Sequence, residues 1–356
     1  MIAYTPRPKS VLALFRELLN TFIHSSGDYP LLRQTHELFP AEPVERNFTL
    51  LIPIIARIIL DLLTNQNKIE YAIGHVIMSM LILEAVRRQA ASPSEIDGGG
   101  KRIPLSRRLL QAVSCLHRKG GLRVLFNVFG TSCAYWTTHS SLTTILSSLV
   151  LHNKTLRPFA HILSSVLLAG AHFSWTAHTI LPHDQYPSPV SHMSRLLRDS
   201  RSRQLWKVLA IPALIHSSAE VLMSYIPAMV EHFIGVPQES LTLATKSNII
   251  LSDILVSVFM LACHVLLLFP SYIVLIAVEA SLLPPSCETI VFESSRQRGL
   301  RIGEIFSRVE VPLQMLTASR MVGVGMLLWC LELHVKMCLF LLGVAAVAHF
   351  AARGLL

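Results

Sequence analysis

Ionisable side chains interrupt three of the apolar runs in this chain. His139 lies in one run, His216 and Glu220 in a second, and Glu332 with Lys336 in a third. Residues four apart share a helix face, so His216 can pair with Glu220 and Glu332 with Lys336. Charged groups at membrane depth are costly and mark sites where solutes or protons bind. We therefore predict that these five side chains bind a substrate, although the same pairs could serve only to hold helices together.

Seven further ionisable residues, in the runs 69–88, 159–182 and 248–284, have no spacing typical of a metal site. They are His75, His161, His172, His178, Asp253, His264 and Glu279. His172 and His178 are six residues apart and lie on nearly opposite faces of a helix. The chain has neither His-x-x-x-His nor Asp-x-x-x-Asp spacing, which membrane di-iron and magnesium-dependent enzymes use. The sequence therefore predicts no metal and no cofactor, and it identifies no catalytic residue.

The composition is that of an integral membrane protein. Of the 356 residues, 52% are hydrophobic and 15% are charged, and the mean hydropathy is +0.51. Soluble domains carry about 25% charged residues. The net charge of +9 comes from Lys and Arg that lie mainly between the apolar runs, which is typical of membrane proteins rather than of nucleic-acid binding. We expect membrane lipids and a small-molecule solute as partners, and no nucleic acid.

Seven apolar runs are candidates for transmembrane helices, each of which needs about 20 residues. The runs are 48–64, 69–88, 124–151, 159–182, 207–232, 248–284 and 323–350. The first contains Arg57 and Asp61, so it can instead be tilted or interfacial. The pattern predicts an all-α integral membrane fold with six to seven transmembrane helices.

Three prolines divide the chain at nearly equal intervals. Pro93, Pro182 and Pro270 are 89 and 88 residues apart, each close to the end of an apolar run. The basic loops that follow all fall on one side of a membrane if 248–284 is a single span bent at Pro270. We predict three helix-pair repeats after a polar N-terminal region and an extra apolar segment. The boundaries are 1–47 for the polar region, 48–68 for the extra segment, and 69–151, 152–232 and 233–356 for the repeats.

The proline motifs resemble those of the mitochondrial carrier family. Pro93-x-Glu95 and Pro182-x-Asp184 match the Pro-x-acidic motif that ends the odd-numbered spans of these three-repeat proteins, and Pro270 keeps the proline of the third copy. The resemblance implies solute transport in a mitochondrial membrane, with these five residues at its gates and hinges. Two further segments, 121–126 and 298–306, resemble the loop turn that follows the motif in that family.

The chain departs from the family where the gate should close. Five residues beyond each proline the family has a basic residue, whereas this chain has Gly98, Pro187 and Leu275. Tyr272 also replaces the acid of the third motif. The run 271–295 is in addition similar to fungal multi-pass membrane proteins of unknown function, some of which are labelled "ubiquitin carrier".

We predict a divergent carrier-like solute transporter, or a carrier-derived scaffold that no longer transports. The alternative is an intramembrane enzyme of lipid or terpenoid metabolism that uses His216, Glu220 and Glu332 for proton transfer. A mitochondrial membrane is favoured over the endoplasmic reticulum and other secretory membranes.

Two glycosylation sequons, at Asn47 and Asn153, test the organelle assignment. We expect the full chain to fractionate with mitochondrial membranes and to show no mobility shift after endoglycosidase treatment. A glycan-dependent shift that disappears in Asn153→Gln would contradict this, because N-glycosylation occurs only in the secretory pathway.

Overall fold

A computed structural model describes residues 71–90, 105–120, 129–150, 156–182, 201–234, 258–292 and 299–354. Helix accounts for most of these residues, as the all-α prediction required. Several predicted features lie outside the described residues and have no structural account here. They are the segments 1–47 and 48–68, the loop turn at 121–126, and the residues Asn47, Pro93, Glu95, Asn153 and Asp184.

The described elements alternate between long helices and short connecting structure. The α-helices are α1 (Met78–Ala90), α2 (Leu109–Gly120), α3 (Phe129–Ile145), α4 (Arg157–Leu167), α5 (Ala169–Ile180), α6 (Arg201–Ile234), α7 (Phe269–Ser281), α8 (Ile302–Ile305), α9 (Met315–Arg320) and α10 (Val324–Gly354). The strands are β1 (Glu288–Phe292) and β2 (Gly299–Arg301). A 3-10 turn, Leu105–Arg107, precedes α2. The π-helical segments are Tyr71–Ile77 before α1, Leu146–Val150 after α3 and His264–Leu268 before α7.

Two described helices are long and apolar enough to cross a membrane. They are Trp206–Tyr225, 20 residues within α6, and Val258–Ser281, 24 residues ending with α7. This finding concerns length and composition only, and the core helix of a soluble protein has the same two properties. The two helices support a membrane protein, but they do not show the six to seven predicted spans.

The predicted span 159–182 contains a turn. A turn at Leu168, with φ −92° and ψ 10°, separates α4 from α5. With 11 and 12 residues, each helix is only about 17 Å long, against about 30 Å for the hydrocarbon core of a bilayer. Backbone hydrogen bonds of α-helical spacing nevertheless continue across the turn, from Leu168 N–H to the Ser164 carbonyl and from His172 N–H to the Leu168 carbonyl, at 2.9 Å each.

Pro182 and Pro270 have different structural roles. Leu181, which follows α5, has extended backbone angles, as expected for a residue before proline, and Pro182 lies just outside the helix. Pro270 is the second residue of α7 but lies inside a longer continuous helix, where proline removes one backbone hydrogen bond. The π-helical segment His264–Leu268 leads into α7, so helix continues through Pro270 from Val258 to Ser281. The described part of the predicted span 248–284 is therefore one continuous helix.

Helix α1 is the centre of the core. Every residue from His75 to Val86 is buried, so the helix is enclosed on all sides. It packs against α5, α7, α8 and α10. A second set of contacts joins α3 to α4, α4 to α6 and α6 to α7. The two sets meet at α7.

The connection after α7 folds into a small antiparallel hairpin. Strand β1 pairs with β2, and Val291 and Leu300 are buried between the hairpin and the helices. The Thr289 hydroxyl donates to the Leu300 carbonyl at 2.8 Å. The sequence did not predict this sheet: the described part of 298–306, which resembled a carrier loop turn, forms β2 and α8.

Gly299 is required by the close approach of the two strands. A Cβ atom added there would lie 2.1 Å from the Thr289 carbonyl oxygen. We expect Gly299→Ala to lower the free energy of unfolding by about 1–3 kcal/mol, because the backbone has to move. Gly325→Ala is the matched control, since nothing lies within 4 Å of its added Cβ in α10. Equal thermal midpoints for the two purified variants would contradict the strand pairing.

Candidate functional site

Three of the five residues predicted to bind a substrate meet inside the helix bundle. Glu220 lies between two histidines: its Oε1 is 2.9 Å from Nε2 of His216, and its Oε2 is 3.5 Å from Nε2 of His161. The Glu220 side chain is 14% exposed and that of His161 is 3% exposed. His139 lies next to them, with its ring edge-on to His161 at 4.5 Å between centroids.

Helix packing explains why these residues come together. His216 and Glu220 are one turn apart on α6, and α4, which carries His161, packs against this helix. On α4, Ser165 lies one turn after His161. Its hydroxyl donates to the His161 carbonyl at 3.1 Å and lies 2.8 Å from Nε2 of His139 on α3. Polar contacts thus connect α3, α4 and α6 around Glu220.

The network extends from α6 to α7 and α1. Nδ1 of His216 is 3.1 Å from the Ser271 hydroxyl, so both ring nitrogens of His216 have partners. The neighbouring Tyr272 hydroxyl is 2.6 Å from Nδ1 of His75. His75 belongs to the π-helical segment before α1, and such segments occur often at functional sites. Its ring stacks on Trp175 with centroids 4.0 Å apart.

A second carboxylate lies on the other side of Trp175. Oε1 of Glu279 on α7 is 2.7 Å from Nδ1 of His172 on α5, and the Glu279 side chain is 1% exposed. Trp175 contacts His172 edge-on at 5.1 Å between ring centroids. Tyr135 of α3 contacts both rings, at 5.4 Å in each case. We call the set formed by His75, Tyr135, His139, His161, His172, Trp175, His216, Glu220, Tyr272 and Glu279 the histidine–carboxylate network.

Glu332 and Lys336 lie apart from this network. Lys336 donates to Glu332 at 2.6 Å, as their spacing predicted. Arg107 also donates to Glu332, through Nε at 2.6 Å, and its carbonyl accepts from Lys336 at 3.0 Å. The three side chains are about one third exposed. They hold the turn before α2 against α10, so the structure does not bring all five predicted binding residues together.

Four important members of the network were visible in the sequence only as isolated polar residues. No local spacing connects His75, His161, His172 or Glu279 with a partner. Their rarity in apolar surroundings was the available signal. Which helix faces meet could not be deduced from it.

Protons are the species that this chemistry suits. Histidine is the side chain whose unperturbed titration lies nearest to neutral pH, and carboxylates are its natural partners. Within the described residues, no group of three or more His, Cys, Asp or Glu side chains could hold a metal ion. The arrangement therefore suits proton exchange or binding of a polar solute between helices.

The chain matches no protein family, no curated protein and no solved structure.

Two buried tyrosine hydroxyls allow a matched test of the network. Tyr272 hydrogen-bonds with His75, whereas the Tyr225 hydroxyl on α6 is buried with no hydrogen-bond partner among the described residues. We expect Tyr272→Phe to destabilise the folded chain by about 1–2 kcal/mol and Tyr225→Phe to be neutral or stabilising. Thermal unfolding of both purified variants measures this. A larger loss in Tyr225→Phe would contradict the assigned contacts.

Proposed function

We propose that this chain is a multi-pass membrane protein that carries a small polar solute, with Glu220, His161 and His216 of the histidine–carboxylate network as its interior binding site. The observation that carries the proposal is the position of Glu220. It is a largely buried carboxylate held by histidines from two helices.

The outer faces of several helices support a lipid environment. Large apolar side chains are exposed along them at helical spacing, as lipid-facing residues are. They include Phe159, Leu163 and Leu167 on α4, Ile211, Leu214, Ile215 and Leu222 on α6, and Leu328, Val335 and Leu339 on α10. In water such stripes would favour aggregation, whereas acyl chains cover them without cost.

The interior has the opposite character. Its polar side chains bridge α1, α3, α4, α5, α6 and α7, and polar groups at helix interfaces inside a membrane mark transport pathways. A solute that bears a charge or several hydrogen-bonding groups could replace the contacts of Glu220 with His161 or His216. The helices that carry these residues would then shift relative to one another.

The proposed architecture of the chain is carrier-like. It has six to seven spans in three helix-pair repeats, with Pro182 and Pro270 at the ends of moving segments, in a mitochondrial membrane. Helices lie in the predicted forward and returning parts of each repeat: α1 with α3, α4 and α5 with α6, and α7 with α10. The basic connections between them suit one face of the membrane.

An intramembrane enzyme is the second candidate, and the aromatic cluster beside His139 favours it. Tyr135 and Trp136 are in edge contact at 5.3 Å, and Trp136 also lies edge-on to His139 at 5.7 Å. Aromatic faces beside groups that exchange protons suit a lipophilic substrate that develops positive charge. Such an enzyme would convert a lipid-soluble compound in isolated membranes and would be inert in solute uptake.

Uptake into proteoliposomes tests the carrier proposal. The full chain is reconstituted and supplied with labelled organic acids, amino acids and nucleotides. We expect saturable uptake of at least one of these solutes. Glu220→Gln should reduce that uptake by about tenfold or more, because it removes the charge between His161 and His216.

Two further glutamate substitutions serve as references. Glu310→Gln changes an exposed residue and should behave as the wild type. Glu332→Gln should retain uptake and lose some stability, because its charge binds Arg107 and Lys336. Uptake that is equal in the wild type and in Glu220→Gln would contradict the assigned site. No uptake of any solute, together with conversion of a lipophilic compound, would favour the enzyme.

A further inference from the structure

A second buried carboxylate, Glu279, has no part in the solute site proposed around Glu220. Its Oε1 is bound by His172 at 2.7 Å. Its other oxygen, Oε2, is buried and accepts no hydrogen bond from the described residues. Buried carboxylate oxygens are normally satisfied, so one that is not calls for an explanation in terms of binding or chemistry.

A single proton decides the charge of this pair. When the pair holds the proton, His172 and Glu279 together have no net charge. When the proton leaves, His172 is neutral and Glu279 carries an uncompensated negative charge among apolar side chains. A buried charge without a counter-charge is costly, so loss of the proton favours any conformation that gives Glu279 new polar contacts.

The pair and the Glu220 site are joined through one helix. Ser271, which contacts His216, and Glu279 are eight residues apart in α7, or about 12 Å. His172 also reaches the site through Trp175, whose ring stacks on His75. A movement of α7 that relieves a charge on Glu279 therefore changes the contacts of His216 with Ser271.

We propose that Glu279 and His172 form a proton-binding site, and that loading and unloading this site drives solute movement at Glu220. The proton is then the coupling ion of the carrier. This inference rests on the proposed solute transport, and it adds the energy source. No covalent step is involved: one proton enters from one side of the membrane, resides on the pair, and leaves on the other side.

Other titratable groups face the pair from the elements packed around it. They are His75 before α1, Tyr135 and His139 on α3, His161 on α4, and His216 and Glu220 on α6. On the remaining neighbours, Glu84 of α1 accepts from the Ser106 backbone N–H, Arg320 of α9 is exposed, and Glu332 and Lys336 of α10 bind Arg107. Two buried histidines, His264 directly before α7 and His334 on α10, lie against each other and against Phe269 at the start of α7. Glu279 is the acid in direct contact with His172.

Proton entry and solute entry are measured together in the decisive experiment. Proteoliposomes of the full chain contain a pH-sensitive dye, and the panel of labelled solutes is added outside. We expect the wild type to acidify the interior as label enters. Glu279→Gln should still exchange label for label while its solute-dependent acidification falls by about tenfold or more. Exposed Glu310→Gln is the matched control and should acidify like the wild type.

The outcomes separate this inference from the carrier proposal. Label uptake by the wild type without acidification, or full acidification by Glu279→Gln, would overturn proton coupling and leave the carrier intact. If no labelled solute enters, the carrier fails, and a pH titration of tryptophan fluorescence then decides on the proton site alone. Trp175 contacts His172, so protonation of the pair should change its emission. Identical titrations of the wild type and Glu279→Gln would overturn the site.

A variant at the partner residue guards against misfolding. His172→Asn keeps an N–H that can donate to Glu279 but cannot accept a proton near neutral pH. We expect it to fold, as judged by its size-exclusion profile, and to lose acidification as Glu279→Gln does. Retention of solute-dependent acidification by a folded His172→Asn protein would contradict the assignment.

Discussion

The burial of Glu220 is the constraint on which the arrangement of the central helices depends. A carboxylate that loses its water needs a positive or hydrogen-bonding partner, and removing one partner of a buried pair costs about 3–5 kcal/mol. Here the partners come from two helices: His216 from α6 itself and His161 from α4. Any rotation of α4 that removes His161 leaves Glu220 poorly paired. The carboxylate therefore fixes how α4 lies on α6.

The second carboxylate extends the same principle to the rest of the bundle. Glu279 fixes α7 against α5 through His172, and Tyr272 fixes α7 against the segment that begins α1. The surrounding apolar side chains pack well in many arrangements, since one leucine-rich face resembles another. Polar pairs have few satisfied arrangements. We infer that the network selects one register of the helices, while α1 and α7 both contribute many side chains to the apolar core.

The sequence predicted the contacts between residues one helical turn apart. It did not predict the contacts that depend on which helix faces pack together. The pairs His216–Glu220 and Glu332–Lys336 follow from one helical turn, and both are present. The partner of Glu332 is Arg107, 225 residues away, and no periodicity relates the two. The turn at Leu168 was missed because leucine favours helix, so the residue itself gives no sign of a break. The hairpin was missed because its strands are only five and three residues long.

The unlike surroundings of the returning helices bear on how a carrier built this way would work. A threefold arrangement of binding groups would give α3, α6 and α10 equivalent polar residues that face one interior. Instead, His139 and Glu220 enter the network, whereas Glu332 binds a basic turn at the edge of the bundle. Binding contacts would then come mainly from α3, α4 and α6, and movement would be asymmetric.

Helix α7 is the element that can transmit such a movement, because it contacts His216 through Ser271 and carries Glu279 itself. In the π-helical segment His264–Leu268 before α7, the backbone already departs from regular α-helix. The helix can therefore change its winding there. The even spacing of the prolines is therefore compatible with a carrier-like shape in which only one side of the interior does the binding.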